Sequence, residues 1–426
     1  MAISKVIYKA SADATPETWM DATTATAAAA DITAPKTAML ADGVMTTGTG
    51  SGGGGGITPV LAKDVNFIDY DGTIVYSYTK AEFALLDALP ANPTHDGLTA
   101  QGWNWDLADA KTYVASYGKL WVGQMYVTSS GNSEIDITLG QGRLSPYLGI
   151  AVNGTVEVDW GDGSAAQTIT GSSTSTQIRT QHTYPAPGEY TIIISSVSGS
   201  YRFYGDTTYS LLSANNGTAS NNRVYSYAVS AVRVGNSAAL ANYGFYYCGG
   251  LKYITIPKNI SIPGSTWPQY CYSLQSLTIP NTITILSLQN NYCYSFKNIS
   301  FPKGITSISN EAFYNNYNLQ SVCVPDGITG IPSNMFYGCT KLSSIVIPSS
   351  VTSIGTAAFS GCRGLGEIHF KPTTPPTVSN SNAWTNIPTD CIIYVPYSAD
   401  HSILDTYKAA SNYPNPSTYT YMEETA

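Results

Sequence analysis

At 426 residues the chain is long enough for two to four domains, and with only 11% charged residues its surface must be polar mainly through Ser, Thr, Asn, Gly and Tyr. A net charge of −8 argues against nucleic acid as the main ligand, because phosphate contacts need a cationic footprint. There is no run of 18 apolar residues to span a membrane, no apolar signal core in Met1–Ala10, and no metal-ligand spacing among four histidines and seven cysteines, so no cofactor or metal is expected.

Residues 10–34 are dominated by Ala and Thr. Residues 46–56 read Thr-Thr-Gly-Thr-Gly-Ser followed by five glycines, a flexible linker. Its formal GxGxxG at Gly48, Gly50 and Gly53 has neither the preceding strand nor the following helix of a nucleotide site. Asp31 to Thr49, with its Leu40, Gly43 and closing Thr47-Gly48-Thr49, resembles a short motif near the ends of tail and fibre proteins of phages of gut bacteria. That resemblance implies that residues 1–56 are an attachment region and spacer.

Residues 57–131 read as a small α+β module. Asn66 to Tyr78 alternates around a tight turn at Asp71-Gly72, helices are predicted over 80–88 and 106–117, and Gly102-Trp103-Asn104-Trp105 lies between them. Asp69 and Asp71 are taken as turn residues rather than a calcium pair. The block resembles a module of gut-phage surface proteins without an assignable chemistry.

Residues 132–204 carry Trp160-Gly161-Asp162-Gly163 and, further on, His182-Thr183-Tyr184 with Gly188-Glu189-Tyr190. Asp162-Gly163 makes a tight turn, Trp160 and Tyr190 fill a core, and His182 hydrogen-bonds near the turn. These paired motifs resemble the PKD-type β-sandwich, which serves mostly as a spacer or adhesive module.

From 205 to 372 a repeat dominates. Prolines at 257, 280, 302, 325 and 348 fall 23, 22, 23 and 23 residues apart, and each closes a short alternating run such as Ser344-Ile345-Val346-Ile347. Nine residues before each proline stands Cys248, Cys271, Cys293, Asn316 or Cys339, with Cys362 in register in the last copy. A period this short cannot bury its own apolar face, so the units must stack as a solenoid with one parallel sheet, an inward cysteine column and a long outer face left free. The recurrence of Phe, Gly-Cys, Leu, Ile and Pro in 331–348 and 354–368 resembles the BspA-like leucine-rich repeat. Two copies depart from it, with Pro268 and Asn290 in place of the Phe of the others. Residues 373–426 are similar to the closing strand and short helix of that family and are expected to be the C-terminal cap. The fold class is therefore mainly β and multi-domain: N-terminal anchor, small α+β module, PKD-like β-sandwich, and leucine-rich-repeat β-solenoid with its cap.

For function, no HExxH, GxSxG or P-loop appears, and the chain is read as not an enzyme; two distant carboxylates of a glycosidase would leave no such motif. Thirty-two tyrosines against ten phenylalanines mean that many rings carry a hydroxyl to water or a partner. The candidate binding row flanks the cysteine column: Tyr246, Tyr247, Tyr270, Tyr272, Tyr292, Tyr294, Tyr314, Tyr317 and Tyr337, with Trp267 nearby. Such a row suits sugars, whose C–H faces pack on rings, and suits protein hot spots equally; tyrosine replacing phenylalanine in plain packing is the competing reading. The resemblances imply a virion surface or fibre protein of a phage, made in the host cytoplasm and held to other virion proteins through its N-terminal region. It would be a homo-oligomer, commonly a trimer in such fibres, engaging a host-surface protein or polysaccharide. The alternatives are a bacterial cell-surface leucine-rich-repeat adhesin and a structural decoration protein of capsid or tail.

Overall fold

The computed structural model describes residues 37–39, 45–47, 62–204, 211–213, 225, 227–240, 244–260, 268–286 and 292–424. The chain divides into two compact units, residues 1–60 and 61–426. In the first, Thr37–Met39 pairs antiparallel with Met45–Thr47, within the stretch that resembles the phage motif. The glycine-rich linker and Trp267 lie outside the described residues.

In the second unit, Val65–Ile68, Ile74–Tyr78, Leu98–Trp103 and Leu120–Thr128 form a four-stranded sheet. The turn falls where Asp-Gly places it: Gly72 N–H donates to the Asp69 carbonyl and Thr73 N–H to the Asp71 carboxylate. Thr79 and Glu82 close a capping box on the first helix. That helix spans Lys80–Ala84 and is shorter than predicted. Asp106 caps the second, Leu107–Tyr117, and Gly118 ends it at φ 82°. Phe67, Phe83, Trp103, Val114 and Val122 make a core of their own.

Next come Ser133–Leu139, Tyr147–Asp159, Gln167–Gln181 and Gly188–Phe203, long antiparallel strands of an eight-stranded sheet that continues into the repeats. Val229–Arg233 is the joint, antiparallel to Ser133–Leu139 on one side and parallel to Tyr253–Thr255 on the other. Arg233 holds the register there by bonding Glu134 at 2.7 Å and both Asp136 oxygens at 2.6 and 2.7 Å. At the far end of this region His182 Nε2–H donates one 2.7 Å bond to the Asp162 carboxylate, and the ring stacks on Trp160 at 4.7 Å.

The solenoid makes about seven turns. Among the described residues, four turns contribute two short strands rather than the one expected. The main ribbon includes Ser276–Thr278 beside Asn298–Ser300, and Ser344–Ile347, Glu367–Phe370, Ile392–Val395 and Thr420–Glu423 in sequence. A side ribbon pairs Ile285–Leu286 with Ser307–Ile308, and Gly330–Ile331 with Ser353–Ile354 and Thr377–Val378. One apolar core runs from Ile135 in the antiparallel sheet to Tyr421 in the cap. Within it Phe296, Phe313, Phe336 and Phe359 stack at 6.4, 5.6 and 5.5 Å, and Trp384 of the cap takes the next place at 5.2 Å.

The outer face of the main ribbon is not all free, contrary to the expectation. Leu120–Thr128 is buried along its whole length and packs against the strands ending at Thr255, Thr278 and Ser300. The docking exploits the prolines. A residue before proline has an outward carbonyl whose neighbour carries no N–H, and three such carbonyls on successive turns each receive a donor from the module. Asn104 bonds Ile279 O at 3.0 Å, Trp105 bonds Phe301 O at 2.6 Å, and Tyr113 bonds Val324 O at 2.7 Å.

Candidate functional site

The cysteine column is structural. Cys248, Cys271, Cys293, Cys339 and Cys362 are buried thiols in no disulfide. The Cys271, Cys339 and Cys362 thiols donate to the carbonyls of Phe245, Phe313 and Phe336 one turn earlier, at 3.1, 3.2 and 3.1 Å. Asn316 holds the place in the one turn without Cys, and its Oδ1 accepts from Cys293 N–H at 2.9 Å. Burial pushes the Cys248, Cys271 and Cys339 thiols well above their usual range and Cys362 up to about 12, so none is a ready nucleophile.

One or two residues away on either side, the chain turns outward and the tyrosines stand. All nine described members of the predicted row come together, and they sort into two ladders. In the first, Tyr247, Tyr270 and Tyr292 stack nearly parallel at 4.3 and 4.9 Å; Tyr314 meets Tyr292 edge-on at 5.7 Å, and Tyr337 stacks on Tyr314 at 4.7 Å. In the second, Tyr272, Tyr294 and Tyr317 stack at 5.2 and 5.1 Å. Tyr246 packs edge-on to Tyr247 and Tyr270 at 4.5 and 5.5 Å. The ladders meet edge-to-face, Tyr270 with Tyr272 at 6.4 Å and Tyr292 with Tyr294 at 6.3 Å. Ring faces touch at about 3.5 Å, so parallel rings nearly 5 Å apart are slipped sideways and each leaves part of a face uncovered.

Sequence reasoning missed Tyr227. It heads the second ladder, 6.3 Å from Tyr272, and at 66% exposure it is the most open ring of the set, against 36% for Tyr294 and 40% for Tyr317. Gly249 makes room for it, because a Cβ there would stand 3.0–3.2 Å from the Tyr272 and Tyr227 rings. The signal was the glycine: where later turns have a side chain, this turn has none.

The backbone beneath the first ladder is unusual. Tyr247, Tyr270 and Tyr292 have φ of 56°, 58° and 60°, in the left-handed region. The same position in the next three turns is Asn315, Gly338 and Gly361, at 57°, 72° and 79°. Each of these six turns has a left-handed residue just before the inward column; three use the amino acids that adopt it at least cost, and three use tyrosine. A non-glycine residue there costs roughly 1–2 kcal/mol. Burial, with a smaller contribution from neighbouring phenols, pushes the Tyr272 hydroxyl up to about 12 and also raises Tyr294 and Tyr314. These hydroxyls therefore stay protonated at neutral pH and act as both donors and acceptors.

Stacked parallel turns, an inward column and phenylalanine ladder, and a capped end define a leucine-rich-repeat solenoid. Residues 238–366 and 289–390 match the model for the BspA type leucine rich repeat region, in six copies. Among solved structures the chain is similar to a leucine rich cell surface protein from Faecalibacterium prausnitzii, 21% identical over 43% of this chain with a TM-score of 0.30. It spans 62% of the length of that protein. A leucine-rich repeat protein from Bacteroides ovatus is 16% identical over 55% of this chain and 76% of its own, with a TM-score of 0.31. No curated protein matches the sequence. Among the described residues no group of His, Cys, Asp and Glu could hold a metal ion, and no helix is long and apolar enough to cross a membrane.

Proposed function

We propose that this chain is a non-enzymatic surface adhesin of the leucine-rich-repeat type, displayed on a bacterial cell, with the two tyrosine ladders as its recognition face. One observation carries the reading: three successive turns place tyrosine in a conformation that suits glycine, and the rings so placed stay partly exposed. Packing alone does not account for this, because Gly338 and Gly361 serve the same backbone position in turns that are equally well packed. Side chains held at a conformational cost on a surface are a mark of binding sites. The partner is a host-surface protein or polysaccharide.

The test is adhesion of the purified chain to glycan arrays and to host-cell or mucin surfaces, comparing wild type with the triple variant Tyr247→Gly, Tyr270→Gly, Tyr292→Gly. Loss of binding with the fold retained supports the reading. Equal binding would remove the ladders as the site.

A second reading, a fibre or decoration protein on a phage particle, is favoured by the motif over residues 31–49 and by the PKD-type pair of motifs, whose His182, Asp162 and Trp160 do pack together. In that reading residues 1–56 join other virion proteins and the chain is a homo-oligomer. Immunogold imaging separates the two, since it labels either bacterial envelopes or released particles.

A further inference from the structure

The second ladder runs along a corner of the solenoid that carries charge of one sign. From two places before the inward column to four places after it, the turns run 246–252, 269–275, 291–297, 314–320, 337–343 and 360–366. These stretches hold no Asp or Glu but four cations, Lys252, Lys297, Lys341 and Arg363, in a chain whose net charge is −8. All four are exposed, and among the described residues none of them makes an ion pair. Two other cations of the repeats are by contrast engaged, Lys303 with Asp109 of the docked module and Lys371 with Glu424 of the cap. Backbone bonds fix the spacing along the corner: Gln275 N–H donates to Lys252 O at 3.2 Å, Lys297 N–H to Gln275 O at 2.9 Å, and Gln320 N–H to Lys297 O at 3.2 Å. Lysine and glutamine therefore alternate in one line, turn above turn. Bonded strands lie about 4.8 Å apart, so the two lysines stand about 10 Å apart along the axis with an uncharged amide between them. Three residues earlier on each of the last three of these turns stand Tyr272, Tyr294 and Tyr317 of the ladder.

We infer that this corner binds a linear acidic polysaccharide with one carboxylate to each disaccharide, laid along the solenoid axis. The inference rests on the ladder reading above and adds the class of ligand. Rings stacked on one another give most of each face to the next ring, so the row meets a ligand mainly with edges and hydroxyls. Those suit sugar hydroxyls. An extended pyranose chain advances by close to one solenoid turn per sugar, so successive sugars meet successive tyrosines, spaced at 5.2 and 5.1 Å, and the carboxylate of every second sugar meets a lysine. Gln275 and Gln320 face the uncharged sugars between. Lys341 and Arg363 carry the positive charge on past Tyr317, the last ring of the ladder. Nucleic acid fits this corner poorly, because its bases need whole ring faces and its phosphates outnumber the cations turn for turn.

The experiment measures binding of the full chain to hyaluronan and heparosan oligosaccharides, which carry one carboxylate per disaccharide, and to the same oligosaccharides with the carboxylates reduced to alcohols. Wild type is expected to bind the acidic form about tenfold tighter, a difference that shrinks as salt is raised. Lys252→Gln combined with Lys297→Gln should erase the difference while leaving neutral binding as it was, and Lys252→Arg with Lys297→Arg should keep it. Lys408→Gln, which removes a charge from the cap helix Ser402–Ala409, should change nothing. Tyr294→Ala should weaken both forms alike. Equal wild-type binding of the two forms, or a difference that survives in the double glutamine variant, overturns the acidic ligand and leaves the ladders standing. Retention of a single-stranded oligonucleotide as tight as that of the acidic glycans also overturns it, since the corner would then be a general anion surface. If neither glycan form is bound, the polysaccharide falls, and adhesion of the triple Tyr→Gly variant to host-cell surfaces still decides the ladder reading.

Discussion

Two stacks of aromatic rings run along the same solenoid, one inside and one outside. The inner stack, Phe296 to Phe359 and on to Trp384, has rings 5.2–6.4 Å apart and wholly or almost wholly buried. The outer stack, Tyr247 to Tyr337, is spaced at 4.3–5.7 Å and stays half in solvent. The same period generates both, yet the reasons differ. The inner rings are the hydrophobic stabilisation of the turns; three of the outer ones, Tyr247, Tyr270 and Tyr292, hold their place against a backbone preference. The shared period therefore does not separate the two stacks, whereas the backbone conformation beneath Tyr247, Tyr270 and Tyr292 does.

The largest effect should come from the inner stack. Phe336→Ala removes a fully buried ring stacked on both sides, and such truncations cost about 3–5 kcal/mol. Urea unfolding measures this, with the midpoint lowered and the slope unchanged. A loss below about 1 kcal/mol would mean that the turns do not share one cooperative core.

The next effect concerns why the outer stack lies where it does and not on the strand face. Gly123 faces Thr278 so closely that a Cβ would stand 2.1–2.8 Å from that side chain. Gly123→Ala should therefore cost about 1–3 kcal/mol by overpacking the docked module, and hydrogen exchange at the strand Ser276–Thr278 should accelerate. Adding Thr278→Ser or Thr278→Ala should recover part of the loss. Simple additivity in that cycle would show that the two surfaces are not in contact.

A third comparison is made at one position of the repeat. Gly361→Ala places a Cβ on a residue at φ 79° and should cost about 1–2 kcal/mol. Tyr270→Gly relieves the same conformation but forfeits ring stacking and adds unfolded-state entropy, terms of about 1 kcal/mol each, so its stability should stay within about 1 kcal/mol of wild type. Thermal unfolding of both variants, read beside ligand binding, separates the roles: glycine at 270 leaves the fold and removes binding. A loss of several kcal/mol in Tyr270→Gly would make the outer stack structural after all.

The solenoid was legible because its signal is periodic: Phe, Cys, Leu, Ile and Pro recur in register, and each column maps to one environment. The tyrosine row was legible for the same reason, though not its division into two ladders, which depends on side-chain tilt. The docking of residues 62–128 was not, since Asn104, Trp105 and Tyr113 reach carbonyls 175, 196 and 211 residues away with no local pattern to announce it. A trace of it does exist in the outward strand positions. Under the module these read Thr255, Thr278, Ser300 and Cys323, at its edge Val346, and beyond it His369 and Tyr394. Small residues mark the covered turns and larger ones the open turns, a contrast that shows once the column two places before each proline is read down the repeats. The side ribbon was missed because its strands, two residues each, are too short for alternation to show.

The smallest effect sharpens the comparison with a stacked pair that lies outside the repeat altogether. Trp160 and His182 stack at 4.7 Å, and here the geometry is fixed by charge rather than by period: His182 is tied to Asp162 at 2.7 Å, and Asp162 also receives the Ser164 N–H at 3.0 Å. Burial works to raise the Asp162 carboxyl, but the bonds from Ser164 and His182 outweigh it and hold it down at about 2. A carboxyl whose folded value lies below its ordinary 3.8 stabilises the fold fully above about pH 4, and that contribution disappears as the pH falls toward 2. Asp162→Asn should therefore be less stable than wild type at pH 7, with the gap closing as the medium is acidified through that window. Tyr272, Tyr294 and Tyr314 should not respond, because burial raises their hydroxyls further still from that window. A gap that stays constant from pH 7 to pH 2 would mean that Asp162 acts through shape alone, and that the stack on Trp160 needs no charge to hold it.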